Sequence, residues 1–371
     1  MTSNYMLPRW ADLVLLPLVS LTIALLAAAG VVAWVGQDPV EVIQVLIHGA
    51  LGTERGISYT LYYATTFVFT GLAVAVAFHC GLFNIGGEGQ AILGGLGTGL
   101  VALWFSAVLP AWIMLPLMMV SGALFGMAWA VVPGYLQAYR GSHVVITTIM
   151  FNFIASSLLV YLLVNHLRPA GSMSVESASF APSAKLPGVH EALQWLGIEW
   201  PASPLNLSVL IALAAAMGVY LFLWRTRAGY HLRAVGSSAS AAEYAGIRSK
   251  HQILVAMAVS GGLAGLVGMN EIAGVNGRLL LEFVSGAGFT GIAVALMGRN
   301  HPLGIVFASL LFGALFQGGA EVAFEVQGFS REMVVMVQGF IVLFSGAMTY
   351  VIAPRLAWVL AKLSVPGARH G

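Results

Sequence analysis

The sequence has very few charged residues and a single cysteine. Only 8% of its 371 residues are charged, whereas 59% are hydrophobic and the mean hydropathy is +0.90. A soluble domain carries about 25% charged residues, so this composition cannot cover a water-facing surface. Cys80 stands alone, which excludes an internal disulfide and a cysteine-based metal cluster. The chain is therefore predicted to be an all-α integral membrane protein.

Sequence motifs for nucleotide binding and catalysis are also missing. There is no G-x-x-x-x-G-K-[ST] phosphate loop, no H-E-x-x-H and no C-x-x-C. His79, His143 and His301 are isolated, and the apolar segments lack the series of acids expected of a proton relay. We expect no enzyme activity, no cofactor and no metal site. The net charge of +2 gives no reason to expect a nucleic-acid partner.

Ten apolar segments are candidates to cross a bilayer core of about 30 Å, which needs roughly 17–25 helical residues. The segment 286–298 is too short and glycine-rich to cross easily, and is predicted to be a half-helix or a tilted, broken helix. The first segment is longer than the core of a signal peptide and is interpreted as an uncleaved span. We expect a single transmembrane domain over residues 1–371. The segments are 12–35, 57–78, 89–107, 111–135, 144–165, 205–224, 252–273, 286–298, 303–318 and 333–352.

The positions of Lys and Arg predict the orientation of these spans. With the N-terminus inside, eleven of the 16 Lys and Arg residues fall in inner segments, as expected of cytoplasmic loops. Both termini are then cytoplasmic. The loop 166–204 faces outward, and its residues 192–200 are predicted to form a short interfacial helix. The loop 225–251 faces inward and holds five of the inner cations.

The inner loop contains a predicted short helix over residues 237–246. Ser237 or Ser238 can cap its N-terminus, its alanines favour helix, and Gly246 can end it. Such a helix, flanked by cations, is what a docking element for a cytosolic partner needs. The alternative is an ordinary positively charged cytoplasmic loop.

The stretch "NIGGEGQ" (84–90) places Asn84, Glu88 and Gln90 among three glycines, between two apolar segments. Non-helical backbone at membrane depth is tolerated only inside protein or beside a water-filled cavity. The stretch is therefore either a surface turn at the inner face or a broken-helix element that lines a pathway. Its carboxylate falls near the predicted edge of the membrane, which weakens the functional interpretation of an intramembrane acid.

Two further stretches carry polar or aromatic groups within apolar segments. Thr148 and Asn152 lie one turn apart, flanked by Phe151 and Phe153, where they can hold a flat heterocycle or form hydrogen bonds between helices. Phe289 lies near the start of a second glycine-rich stretch, which is similar in composition to residues 84–90. Irregular segments in both halves of the chain hint at a repeated architecture with a site between them.

Four motifs, in order, resemble the permease subunits of bacterial ABC importers. The branch is the one that includes branched-chain amino acid, ribose-type sugar and nucleoside systems, and the combination is most similar to nucleoside permeases paired with a basic-membrane-protein-type lipoprotein. The resemblance covers residues 57–350. The motifs are "GLFNIGGEGQ" (81–90), "RGSHVVITTIMFNFIA" (140–155), "RAVGSSASAAEYAGI" (233–247) and "GFTGIAVALMGRNHPLG" (288–304).

The resemblance implies a larger machine in the bacterial inner membrane. Its members pair with a second, related permease chain, take energy from a cytosolic ABC ATPase, and receive a small-molecule substrate from an external binding lipoprotein. The inner-loop helix would dock on the ATPase, with Glu243, Tyr244, Ala245 and Gly246 matching the family's coupling element. The missing phosphate loop is then explained, because the nucleotide site lies on another chain.

The resulting hypothesis is a permease that imports nucleosides or related bases by alternating access. The expected pathway residues are Asn84, Glu88, Gln90, Thr148, Asn152 and Phe289. The charge-poor spans suit a neutral nucleoside, but they suit a simple sugar such as ribose as well. A secondary transporter is the remaining alternative, and it would need ion-coupling groups and no ATPase.

Overall fold

The computed structural model describes residues 15–34 and 36–326, together with residues 8 and 11 and the short ranges 333–336, 339–340, 351–358 and 360. Among these residues the structure is helical, with two isolated β-bridges and no strand. They form two compact units. One is Thr53–Ala314, and the other comprises the described residues of 1–52 and 315–371. The single domain over 1–371 stays a prediction.

The unit Thr53–Ala314 contains every residue expected to be functional. Two π-helical segments extend its helices, Leu163–Leu167 after α6 and Met269–Asn276 after α11. Its helices are α3 (Glu54–His79), α4 (Gly87–Phe105), α5 (Ala111–Arg140), α6 (Val144–Leu162), α7 (Val189–Gln194), α8 (Ser208–Arg225), α9 (Arg227–Ser237), α10 (Ala239–Tyr244), α11 (Ser249–Gly265), α12 (Ala287–Met297) and the first part of α13 (Pro302–Glu325). The other unit contains α1 (Leu16–Trp34), α2 (Pro39–Ile47), a π-helix (His48–Gly52) and the rest of α13.

Local sequence signals set several helix ends. The Thr53 hydroxyl accepts a hydrogen bond from the Gly56 amide at 2.9 Å and so caps α3. The helix α5 ends at Gly141, whose φ of +70° is a left-handed conformation that glycine adopts without strain. In α2, Asp38 is the N-cap and Pro39 the first residue, as expected of a helix start.

The described helices reproduce most of the predicted spans. Six of them are long and apolar enough to cross a membrane: Glu54–His79, Ala111–Arg140, Val144–Leu167, Ser208–Arg225, Ser249–Asn276 and Pro302–Glu325. The helix α12 has 11 residues, about 16 Å at 1.5 Å per residue, as expected of the half-helix predicted at 286–298. Most of the predicted span 333–352 lies outside the described residues. The number of crossings therefore stays a prediction.

Glycines allow α4, α5 and α11 to pack closely against one another. A Cβ on Gly126 would lie 2.2 Å from the carbonyl oxygen of Gly261, and one on Gly94 would lie 2.1 Å from Cα of Gly265. Backbone contact of this kind is the usual reason for paired small residues at helix interfaces in membranes. The glycines four residues apart in α5 (Gly122 and Gly126) and in α11 (Gly261 and Gly265) therefore serve helix packing.

The loop 166–204 is attached to the segment that follows the π-helix of α11. The amide of Ser177 donates to the Leu279 carbonyl at 2.8 Å, and an ion pair of 2.7 Å joins Arg278 to Glu176. The interfacial helix predicted over 192–200 is misplaced. The helix here is α7, which ends at Gln194 and starts earlier than predicted, where the Glu191 carboxylate accepts a hydrogen bond from the Gly188 amide at 3.1 Å.

Candidate functional site

The connection between α3 and α4 folds back into the helical unit. Asn84 in this connection donates from Nδ2 to the Ser260 hydroxyl at 2.9 Å, and Ser260 donates to the Ala73 carbonyl at 2.6 Å. Ala73 is six residues before the end of α3, a distance of about 9 Å along the helix. Residues 80–86 are thus a re-entrant segment, and α4 begins inside the bundle rather than at its surface.

An amide pair holds this re-entrant segment in place. The Asn84 and Gln90 side chains exchange hydrogen bonds of 3.0 and 3.1 Å, and the Asn84 Oδ1 also accepts from the Gly86 amide at 2.9 Å. Both side chains are fully buried. Their hydrogen-bonding groups are therefore used within the protein, which is how buried polar groups are stabilised.

Asn152 ties α6 to the same segment. Its Oδ1 accepts from the Gly89 amide at 2.9 Å, and its Nδ2 donates to the Ile85 carbonyl at 3.0 Å. Thr148, one turn earlier, donates to the Val144 carbonyl of its own helix at 2.8 Å. Asn152 makes the interhelical contacts that were one of the two interpretations of this stretch.

The aromatic residues beside Asn152 do not form one face with it. Phe153 is 66% exposed and points away from the polar cluster, whereas Phe151 packs against Trp129 with ring centroids 5.2 Å apart. The cluster around Asn152 is therefore built from amide and backbone groups. The aromatic partner that the sequence pattern suggests is not provided by these two residues.

Glu88 connects the starts of α4 and α12. Its two carboxylate oxygens accept hydrogen bonds from the backbone amides of Gly286 and Gly288, at 2.9 and 2.8 Å. These amides belong to the first turn of α12, where a negative charge is stabilised by the free N–H groups and the helix dipole. The re-entrant segment carries Glu88 into the helical unit, and its position relative to the edge of the membrane stays a prediction.

Phe289 is the one predicted pathway residue with a largely free side chain. It follows Gly288 in the first turn of α12 and is 48% exposed. The structure thus brings Asn84, Glu88, Gln90, Thr148 and Asn152 together around the start of α4, and places Phe289 next to this cluster at its surface.

Replacing Asn152 by alanine is expected to destabilise the protein rather than to change its ligand affinity alone. The change leaves the buried Gly89 amide and Ile85 carbonyl without their partner, and each unsatisfied group costs about 1–3 kcal/mol. The thermal unfolding temperature of the purified protein in detergent should fall by several degrees. Phe153→Ala, on the exposed side of the same helix, is the control and should leave it within about one degree. Equal unfolding temperatures for N152A and the wild type would contradict this account.

The inner-loop helix is shorter than predicted and strongly exposed. It spans Ala239–Tyr244, its N-terminus is capped by Ser238, and it ends at Gly246, whose φ is +84°. Of the four predicted coupling residues, Glu243, Ala245 and Gly246 are exposed and Tyr244 is 98% exposed. An aromatic side chain of this exposure is available to a partner protein.

Aromatic residues and histidines connect this region to the ends of three long helices. Arg233 in α9 donates from Nε to the Leu223 carbonyl at 3.1 Å and lies over the Trp224 ring. Trp224 packs against His79 and His301, with ring centroids 5.3 and 5.1 Å apart. The ends of α3 and α8 and the start of α13, which His301 directly precedes, therefore meet beside α9.

This cluster was not expected from the sequence, in which the two histidines look isolated. They are more than 200 residues apart, and only the packing of α3 against α12 brings them together. Within the described residues, no group of three His, Cys, Asp or Glu side chains is placed to hold a metal ion.

Comparison with known proteins identifies the family. Residues 56–346 match the family described as the permease component of branched-chain amino acid transport systems. The chain belongs to this permease family. A guanosine ABC transporter permease of Bacillus subtilis is 34% identical over 359 residues, which cover 95% of this chain and 97% of that protein.

Two further relatives differ in their named substrates. A nucleoside ABC transporter permease of Lactococcus lactis is 33% identical, and the matched region covers 89% of this chain and 90% of that protein. A glucose ABC transporter permease of Haloferax volcanii is 36% identical, and the matched region covers 87% of this chain and 85% of that protein. These relatives and the six apolar helices make this permease a multi-pass membrane protein.

Proposed function

We propose that this permease is the membrane subunit of an ATP-driven importer that moves nucleosides or related nucleobases across a bacterial inner membrane by alternating access. The observation that carries the ATP-driven part is α10, a capped helix with a Tyr244 side chain that is 98% exposed. Because the sequence has no phosphate loop, ATP is hydrolysed on a separate subunit. That subunit docks on Glu243, Tyr244, Ala245 and Gly246.

The proposed orientation places α9 and α10 in the cytoplasm and the loop 166–204 outside. It is supported by the excess of Lys and Arg in the segments assigned to the inner side. Ten spans with both termini inside complete this topology. An external binding lipoprotein delivers the substrate to the outer side, and a second, related permease chain forms the other half of the pathway.

The cluster of Arg233, Trp224, His79 and His301 supports a mechanical role for α10. A movement of the docked ATPase would reach α9 first and then the ends of α3 and α8 and the start of α13, which this cluster joins. The starts of α4 and α12 are tied together by Glu88, so they would move as one body. Alternating access then consists of this body shifting against the surrounding helices.

The substrate is assigned from the guanosine and nucleoside relatives, which cover 95% and 89% of the chain. A nucleoside is neutral, so it needs hydroxyl, amide and aromatic partners rather than a strong counter-charge. We place the pathway beside the starts of α4 and α12. Asn84, Glu88, Gln90, Thr148 and Asn152 form its frame, and the half-exposed Phe289 ring is available to stack on a base.

A sugar is the second candidate substrate, because the glucose permease relative is 36% identical over 87% of the chain. Competition for uptake separates the two. Cells that express the permease with its ATPase and binding protein take up labelled guanosine, while unlabelled nucleosides, free bases, glucose, ribose and leucine compete. Competition by nucleosides or bases alone supports the assignment. Competition by glucose or ribose alone would mean that the chain is an ABC permease for a sugar rather than for a nucleoside.

A further inference from the structure

Glu271 is a second acidic residue inside the helical unit, and the pathway described above does not use it. It lies in the π-helical segment after α11 and is only 7% exposed. Among the described residues, no Lys, Arg or His forms an ion pair with it. An ionisable group buried among membrane-spanning helices is costly and is usually retained for function.

Two neutral hydroxyl groups donate hydrogen bonds to the two oxygens of the Glu271 carboxylate. The Thr66 hydroxyl donates to Oε1 at 2.6 Å, and the Tyr62 hydroxyl donates to Oε2 at 2.5 Å. Both donors lie on α3, one turn apart. The carboxylate is therefore satisfied by a pair of neighbouring hydroxyls rather than by a cation.

The neighbouring Asn270 extends this arrangement. Its Nδ2 donates to the Thr66 hydroxyl oxygen at 2.7 Å, and its Oδ1 accepts from the Ser208 hydroxyl at 2.7 Å. The start of α8 is thereby joined to α3 and to the π-helix. Carboxylate, amide and hydroxyl groups thus converge where three elements meet, which is the usual construction of a small-molecule site.

The backbone at this position is itself unusual. Residues Met269–Asn276 are π-helical, a conformation that is rare and frequent at functional sites. The Asn276 side chain donates to the Glu271 carbonyl at 2.7 Å and so supports the irregular turn. The π-helix places the consecutive side chains of Asn270 and Glu271 against α3.

Tyrosine side chains separate Glu271 from the surface of the unit. Tyr62 is partly exposed, and its ring centroid is 5.0 Å from that of Tyr63. Tyr59, one turn earlier, is also partly exposed. A rotation of the Tyr62 side chain would uncover the carboxylate beside a band of aromatic rings.

We propose that Glu271, with Asn270, Thr66 and Tyr62, is a binding site for the vicinal diol of a sugar ring. A diol presents two neighbouring hydroxyl donors, as Thr66 and Tyr62 do now, and its two hydroxyls take their places on the two carboxylate oxygens. The tyrosine rings then contact the apolar face of the sugar or the base. The site deepens the proposed import of neutral substrates. Its chemistry is shared by the ribose of a nucleoside and by a hexose.

The test compares uptake of guanosine with uptake of 2′-deoxyguanosine, which lacks the diol, at saturating concentration. The same binding protein serves every strain, so a change in the ratio of the two rates arises in the permease. Glu271→Gln should lower guanosine uptake about tenfold, because one of the two acceptor oxygens becomes an N–H donor and one hydrogen bond to the diol is lost. Uptake of 2′-deoxyguanosine should stay within about twofold. The ratio of guanosine uptake to 2′-deoxyguanosine uptake should therefore fall.

Two further variants make the outcome decisive. Glu282→Gln, an exposed acid before α12, is the matched control and should leave the ratio unchanged. If Glu271→Gln does not accumulate in the membrane, Glu271→Asp keeps the charge but retracts it, and the ratio should still fall. An equal loss for both substrates, or no change in either, would overturn the site. Should the wild type take up glucose but not nucleosides, the proposed substrate fails, and glucose with 3-deoxyglucose tests the site in the same way.

Discussion

Replacing Tyr244 by alanine is expected to abolish most substrate uptake while the permease remains in the membrane at its normal level. The Tyr244 side chain is 98% exposed at the end of α10, so it contributes little to the fold of the isolated chain. A buried aromatic residue at the centre of a protein interface typically contributes about 2 kcal/mol or more to binding. That loss weakens docking of the ATPase about 30-fold.

Two measurements check this expectation: the amount of ATPase that co-purifies with the permease, and the rate of uptake in cells. Tyr161→Ala provides the matched control, since Tyr161 is 55% exposed but lies at the opposite end of α6 from the inner loop. The Tyr161→Ala variant should recover the normal amount of ATPase and should take up substrate at the normal rate. Full ATPase recovery and full uptake with Y244A would mean that α10 does not dock the ATPase.

Replacing Gly288 by alanine is expected to disable the permease by separating the starts of α4 and α12. A Cβ at this position would lie 2.1 Å from the Glu88 nitrogen and 2.5 Å from its Cα, and neither backbone atom can move alone. The two helix starts must part, which weakens the hydrogen bonds between Glu88 and the α12 amides. Overpacking of this kind costs about 1–3 kcal/mol or more.

The thermal unfolding temperature and the uptake rate of G288A should both fall, the first by about 2 °C or more. Gly262→Ala is the matched control. It is also a buried glycine within a helix, but its nearest neighbour would lie 3.6 Å from the added Cβ, an ordinary contact. G262A should therefore keep its stability and activity. A G288A protein that transports at the normal rate would show that close contact of the two helix starts is not required.

The helices themselves could be predicted from the sequence because their signals are local. Apolar runs of sufficient length marked the long helices, and the serine and glycine around α10 marked its two ends. The half-helix α12 was recognisable from its length and glycine content. Glycine pairs four residues apart are a local signal of the same kind, and they lie where α5 and α11 pack closely.

The partners of the polar residues could not be predicted, because they lie far away in the chain. Glu88 bonds to amides about 200 residues later, and Tyr62 and Glu271 are separated by 209 residues. Such pairings depend on which helices pack together. Hydropathy placed Glu88 at the membrane edge because an apolar run begins just after it. It cannot detect that residues 80–86 turn back into the bundle.

The buried amides change the interpretation of the sequence motif "NIGGEGQ". Asn84, Gln90 and Asn152 use their hydrogen-bonding groups on one another and on the backbone, so their main effect is to hold a broken helix inside the unit. A broken helix can begin inside the protein rather than at its surface, and here the starts of α4 and α12 lie side by side. The motif therefore explains how α4 and α12 are positioned.

The central claim is that this permease imports a nucleoside with energy from ATP on another subunit. The most direct test is uptake of labelled guanosine into proteoliposomes that contain the permease, its partner permease and the ATPase, with binding protein outside and ATP inside. We predict accumulation that requires internal ATP and the binding protein, and that is lost in the Y244A variant. Accumulation driven by a proton or sodium gradient without ATP would contradict the account and would identify a secondary transporter.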